Sequence, residues 1–97
     1  MEKKEAYIEK LSAQLREWSA KIDEMKVQAS LAKAEAKDAY RKQLEIMGTK
    51  KADAEKRLHE MKNAGEGAWQ DLKAGMDRAV DELKRAVSSA AEKMKDK

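Results

Sequence analysis

The sequence predicts an all-α protein: a long helix and a shorter one folded into a helical hairpin, assembling as an oligomeric helical bundle or coiled coil. Three observations lead there. Proline is absent from all 97 residues. Ala, Glu, Lys, Leu and Arg dominate, as they do in long helices. Apolar residues recur in steps of three and four, the spacing of one helix face. Disorder shares the high charge, 42% of the chain, but its charges need not be mixed nor its apolar residues periodic. The 97 residues form at most one small domain.

The first helix is expected over about 4–62. Its stripe runs Ile8, Leu11, Leu15, Trp18, Ile22, Met25, Ala29, Ala32, Ala36, Tyr40, Leu44, Met47, Ala54, Leu58 and Met61. From Ile8 to Leu44, 36 residues are covered in ten steps, a mean of 3.6. A long two-stranded rope would hold about 3.5 and supercoil; a 3.6 repeat keeps its stripe straight, which suits straight helices in a bundle. Between residues 29 and 39 the stripe is alanine only, so that zone buries little area. Glu17 with Lys21, Asp38 with Lys42, Asp53 with Arg57 and Asp81 with Arg85 stand at i, i+4 in the favourable order.

The turn is expected at residues 63–67. Asn63 and Gly65 tolerate the left-handed conformation of a helix C-cap, with Gly67 beside them. Asn63 with Glu66 also fits a capping box for the next helix. Gly48-Thr49 is the rival break, but Lys50 and Lys51 would then put positive charge at a helix N-terminus. The second helix is expected over about 68–95, with Gln70 and Asp71 in its first turn and Lys93, Lys95 and Lys97 at its end. Its stripe is Trp69, Leu72, Met76, Val80, Leu83, Val87, Ala90 and Met94.

Bulky residues are few. Of the 40 hydrophobic residues 17 are alanine, and there is no Phe. A compact monomer must offset roughly 1.5 kcal/mol of ordering entropy per residue, so part of the burial is assigned to other chains. A hairpin at 63–67 brings Leu72 near Leu58 and Met94 near Ala36, leaving Ile8 to Ile22 beyond the reach of the second helix. Self-association of like chains through Ile8, Leu11, Leu15, Trp18, Ile22, Met25, Leu44, Met47, Leu58, Met61, Trp69, Leu72, Met76, Val80, Leu83 and Val87 follows. Completion of another protein's bundle is the further possibility for a partner.

Other functions find little footing. Without cysteine there is no disulfide, thiol catalysis or Cys-based metal site. His59-Glu60 opens like a zincin motif, but position 63 is Asn, not the second histidine. No nucleophile stands beside a base, and Gly65-x-Gly67 follows no strand, so neither catalytic residues nor cofactor are expected. The basic doublets Arg41-Lys42, Lys50-Lys51 and Lys56-Arg57 are interleaved with Glu45, Asp53 and Glu55, so no nucleic acid is expected. The opening Met-Glu-Lys-Lys-Glu has no apolar signal region, and no run approaches the roughly 20 residues of a membrane span; a cytoplasmic location is expected.

The segment MEKKEAYIEKLSAQLREWSAKIDE, together with GAWQDLKAGMDRAVDELKRA, resembles small bacterial coiled-coil proteins rich in Lys, Glu and Ala, some of them stress-associated. The resemblance implies a cytoplasmic, non-enzymatic helical protein without active residues. The second helix also resembles the amphipathic repeats of exchangeable apolipoproteins: Lys73, Lys84, Lys93 and Lys95 border its apolar face, with Asp71, Asp81, Glu82 and Glu92 opposite. That arrangement implies weak membrane-surface binding as an alternative function.

Overall fold

The computed structural model describes residues 3–95, so Lys97 lies outside the described residues. Three helices and no strand are present among them: α1 (Lys4–Ser30), α2 (Ala34–Lys62) and α3 (Ala68–Lys95). They are nearly equal in length and form an elongated bundle of 50 × 18 × 17 Å.

Register is fixed at both ends. Tyr40 Oη donates to the Met94 carbonyl at 3.2 Å, Lys50 meets Glu82 at 3.1 Å, and Arg57 lies against Gly75. The partners in each pair lie at nearly matching distances before and after the 63–67 turn, so α2 and α3 are antiparallel. Lys4 reaches the end of α2 while Tyr7 reaches Trp69 and Asp77. Hence α1 is antiparallel to α2 and parallel to α3, an up-down-up arrangement.

The turn at 63–67 stands where the sequence places it, but by different chemistry. Asn63 caps α2 at φ −93°, ψ −2°, and no residue, glycine included, has positive φ among those described. The left-handed cap is therefore not used. Nor is the capping box: Asn63 Nδ2 turns back to the His59 carbonyl at 3.1 Å rather than forward to Glu66. Asp71 does occupy the first turn of α3. Gly48-Thr49 lies inside α2, as the lysines beside it require.

The single long helix over 4–62 is not formed. It divides at residues 31–33, and α1 folds back along α2. Consequently Leu11, Leu15, Ile22 and Met25 are buried within one chain, not left for a second one. Expectations of insufficient bulk overlooked how thin a three-helix core is. Each helix supplies about one seam residue per turn, and long unbranched Met side chains fill the irregular gaps between small ones. Met25, Met47, Met61, Met76 and Met94 are all buried, beside Ala54, Ala79 and Ala90.

Local ion pairs follow the sequence in part. Asp53–Arg57 and Asp81–Arg85 are formed at 3.1 Å, whereas Asp38 reaches Arg41 at 3.7 Å rather than Lys42. All three are largely solvated, where such pairs contribute little.

Gly48 is a mid-helix glycine, and a methyl group placed on its Cα would meet nothing within 4 Å. Gly48→Ala is expected to raise the unfolding free energy by about 0.5–1 kcal/mol, the helix-interior difference between the two residues. Urea titration followed by circular dichroism measures it. Gly65→Ala, also open and without positive φ, is expected to stabilise by about 0.4–1 kcal/mol through the unfolded chain; a left-handed Gly65 would give the opposite sign.

Candidate interaction surface

The apolar seam is one buried cluster shared by the three described helices. Of the stripe residues, Leu11, Leu15, Ile22, Met25, Met47, Leu58, Met61, Trp69, Met76, Leu83 and Val87 are buried together. Ile8, Trp18, Leu44 and Val80 are partly buried against them. Leu72 is not: it is 37% exposed, because Trp69 and Met76 on either side of it take the seam of α3. Ala79, adjacent to Val80, is the residue that faces inward there. Its small side chain gave the periodicity no weight.

Two tyrosines hold α3 from its neighbours. Tyr7 on α1 is buried, its ring tilted 41° against Trp69 with centroids 5.8 Å apart, a favoured aromatic geometry. Its hydroxyl donates to the Asp77 carboxylate, and Lys73 Nζ stands 5.1 Å from the ring centroid on the cation–π face. At the other end of the bundle Tyr40 on α2 is buried and donates to the Met94 carbonyl. The sequence pattern passed over Tyr7 in favour of Ile8. The missed signal is chemical: a buried Tyr needs a partner for its hydroxyl, so a tyrosine at each end of a polar-sided bundle marks a cross-helix tie.

Lys4 adds a third tie that periodicity does not reveal. Its ammonium donates to the carbonyls of Ala64 at 2.6 Å and Lys62 at 3.2 Å. A cation at the end of α2 satisfies carbonyls left over by the helix and complements its dipole.

A shallow open groove of about 370 Å³ runs between α1 and α2. Leu15 and Leu58 line it alongside Arg16, Glu55, His59 and Lys62. His59 is exposed, within 3.2 Å of Asn63 Nδ2. Leu15 and Leu58 are themselves buried, and the rest of the lining, Ser12 and Ser19 included, is polar. Outside the seam, Val27, Leu31 and Ile46 are the other large apolar residues exposed among those described, at 60%, 81% and 41%. No helix among the described residues is long and apolar enough to cross a membrane.

No family model, no curated protein and no solved structure matches the chain.

Tyr40→Phe is expected to lower stability by about 0.5–1.5 kcal/mol, the net worth of one neutral hydrogen bond, and Tyr7→Phe, whose acceptor is the Asp77 carboxylate, by about 1.5–3 kcal/mol. The two acceptors, Asp77 and Met94, stand about 25 Å apart along α3, so the double variant should show the sum within about 0.5 kcal/mol. Chemical denaturation of the three variants checks this; a large coupling term would mean that the two ends do not act independently.

Proposed function

We propose that this chain is a non-enzymatic helical protein that works by self-association, as a scaffolding or stress-associated protein of the bacterial cytoplasm. The observation that carries it is the division of the surface. Among the described residues, the exterior is charged on every helix, and the extensive apolar feature is a seam rich in Met, Leu and Ala. Methionine-rich packing is adaptable, tolerating new partners better than branched side chains do. The seam is thus suited to exchanging contacts within the chain for equivalent contacts between chains. Half-buried Trp18 on α1 and the exposed Val27, Leu31 and Ile46 supply apolar surface for a first encounter.

A second reading is peripheral binding to a lipid surface. It is favoured by α3, the most amphipathic of the three helices, with Trp69 at one end and Lys73 and Lys84 at the border of its apolar face. Opening of the bundle would free that face for a lipid interface, with the lysines reaching outward. Equal numbers of acids and bases in residues 65–97 make such binding weak.

Self-association is tested by light scattering and thermal melts over a wide concentration range. Mass and melting temperature are expected to rise together with concentration, and Trp18→Ala should weaken association more than His59→Ala. A monomer at every concentration rejects the proposal. The lipid alternative is tested in a Trp18→Tyr background, where Trp69 alone reports. A blue shift on adding anionic vesicles, reduced by salt and abolished by Leu83→Asp, would favour it; an unchanged spectrum at millimolar lipid leaves self-association.

A further inference from the structure

The geometry points to exchange of α1 between two copies of this chain. In that exchange the turn at 31–33 straightens, α1 and α2 become one continuous helix, and α1 of each copy docks on the α2–α3 hairpin of the other. The inference rests on the self-association proposed above and specifies its form.

The turn at 31–33 is built from residues that have no reason to turn. Leu31, Ala32 and Lys33 are sound helix formers, in contrast with Asn63, Gly65 and Gly67 at the other turn. Lys33, the N-cap of α2, makes no side-chain capping bond, and its extended backbone (φ −67°, ψ 156°) is what redirects the chain. Leu31 still has near-helical angles, φ −95° and ψ −1°, and its side chain is 81% exposed. Joining the two helices supplies intrahelical partners to the backbone groups that a C-terminus and an N-terminus leave over. Short connections of this kind are the sites at which elements swap between protomers.

The apolar stripe stays in helical phase across the turn. Ile22, Met25, Ala29, Ala32, Ala36 and Tyr40 follow steps of three and four, so a straightened helix keeps its core face aligned. Two such helices, related by a two-fold axis near the former turn, run antiparallel, as α1 and α2 do within one chain. Each α1 then meets the same residues it meets in the monomer, with Lys4 at the end of a partner's α2 and Tyr7 against a partner's α3. At the axis the helices pass where the stripe is alanine, which permits close approach. Energetically α1 is the separable element: Met47, Met61, Met76 and Leu83, the largest wholly buried side chains, all lie on α2 and α3.

Ala34→Pro tests the exchange in the full chain. Ala34 is the first residue of α2, where Pro is favoured, and Lys33 before it already has the conformation that precedes Pro. The monomeric bundle therefore accepts the substitution. In the middle of a continuous helix it removes a hydrogen bond and clashes with the preceding turn, weakening the dimer by about 150-fold for each of its two helices. The chain has no native cysteine, so Lys26→Cys with Glu45→Cys takes a pair of spin labels on exposed positions of α1 and α2. Labelled chain is refolded with excess unlabelled chain, so that only distances within one chain are read.

Expected is a short distance, about one helix spacing of ~10 Å plus label length, in dilute monomer. At dimer-forming concentration it gives way to about 28 Å, the span of 19 residues along one helix at ~1.5 Å each. Ala34→Pro abolishes both the dimer and the long distance. A dimer that keeps the short distance, or that Ala34→Pro leaves intact, overturns the exchange while self-association stands. A chain that stays monomeric at every concentration overturns both. A long distance that appears only with anionic vesicles and without dimer mass assigns the opening to lipid and likewise overturns the exchange.

Discussion

Met47 and Met61 on α2 and Met76 and Leu83 on α3 are the largest side chains wholly withdrawn from solvent, all within one apolar cluster, and the bundle depends on that burial. It brings together two helices whose connecting turn is polar and glycine-rich, so the antiparallel pairing carries little conformational conflict. Once α2 and α3 are paired, their apolar stripes form one trough. Into it α1 lays Tyr7, Leu11, Leu15, Ile22 and Met25, all buried but none of them among the four at the centre. The polar ties follow from that placement. Lys4 finds the carbonyl end of α2, and Tyr7 finds Asp77, only because α1 already lies in the trough.

The two turns of the chain have opposite physical characters. Residues 63–67 offer open backbone and an Asn side chain that folds onto the last turn of α2, so the local chemistry favours a reversal there. Residues 31–33 offer none of this. Their reversal is maintained by the burial of α1 against the trough, which outweighs a local preference for continued helix. Local and global preference thus agree at one turn and conflict at the other. Conflict of that kind raises the free energy of the native state relative to alternatives that relieve it.

A methionine-and-alanine core has a bearing on function as well as on stability. Such packing is adaptable, and no polar or charged residue among those described is buried within it. The large apolar residues exposed among those described are Val27 and Leu31 at the close of α1, Ile46 on α2 and Leu72 on α3.

By itself the sequence determined the helical class, the turn at 63–67, the extent of α3 and most of the seam, because each rests on local chemistry: propensity, turn composition and a repeat of about 3.6. It also located two of the ion pairs, Asp53–Arg57 and Asp81–Arg85, which need only one turn of helix. The break at 31–33 was decided by the tertiary structure alone. Nothing among Leu31, Ala32 and Lys33 marks a turn, and the free energy that makes one there comes from α1 meeting α2 and α3 many residues away. For the same reason Tyr7 in place of Ile8, Ala79 in place of Val80 and the exposure of Leu72 were invisible to periodicity. A stripe says which face of a helix is apolar, whereas the position of two neighbouring helices says which line along that face becomes the core.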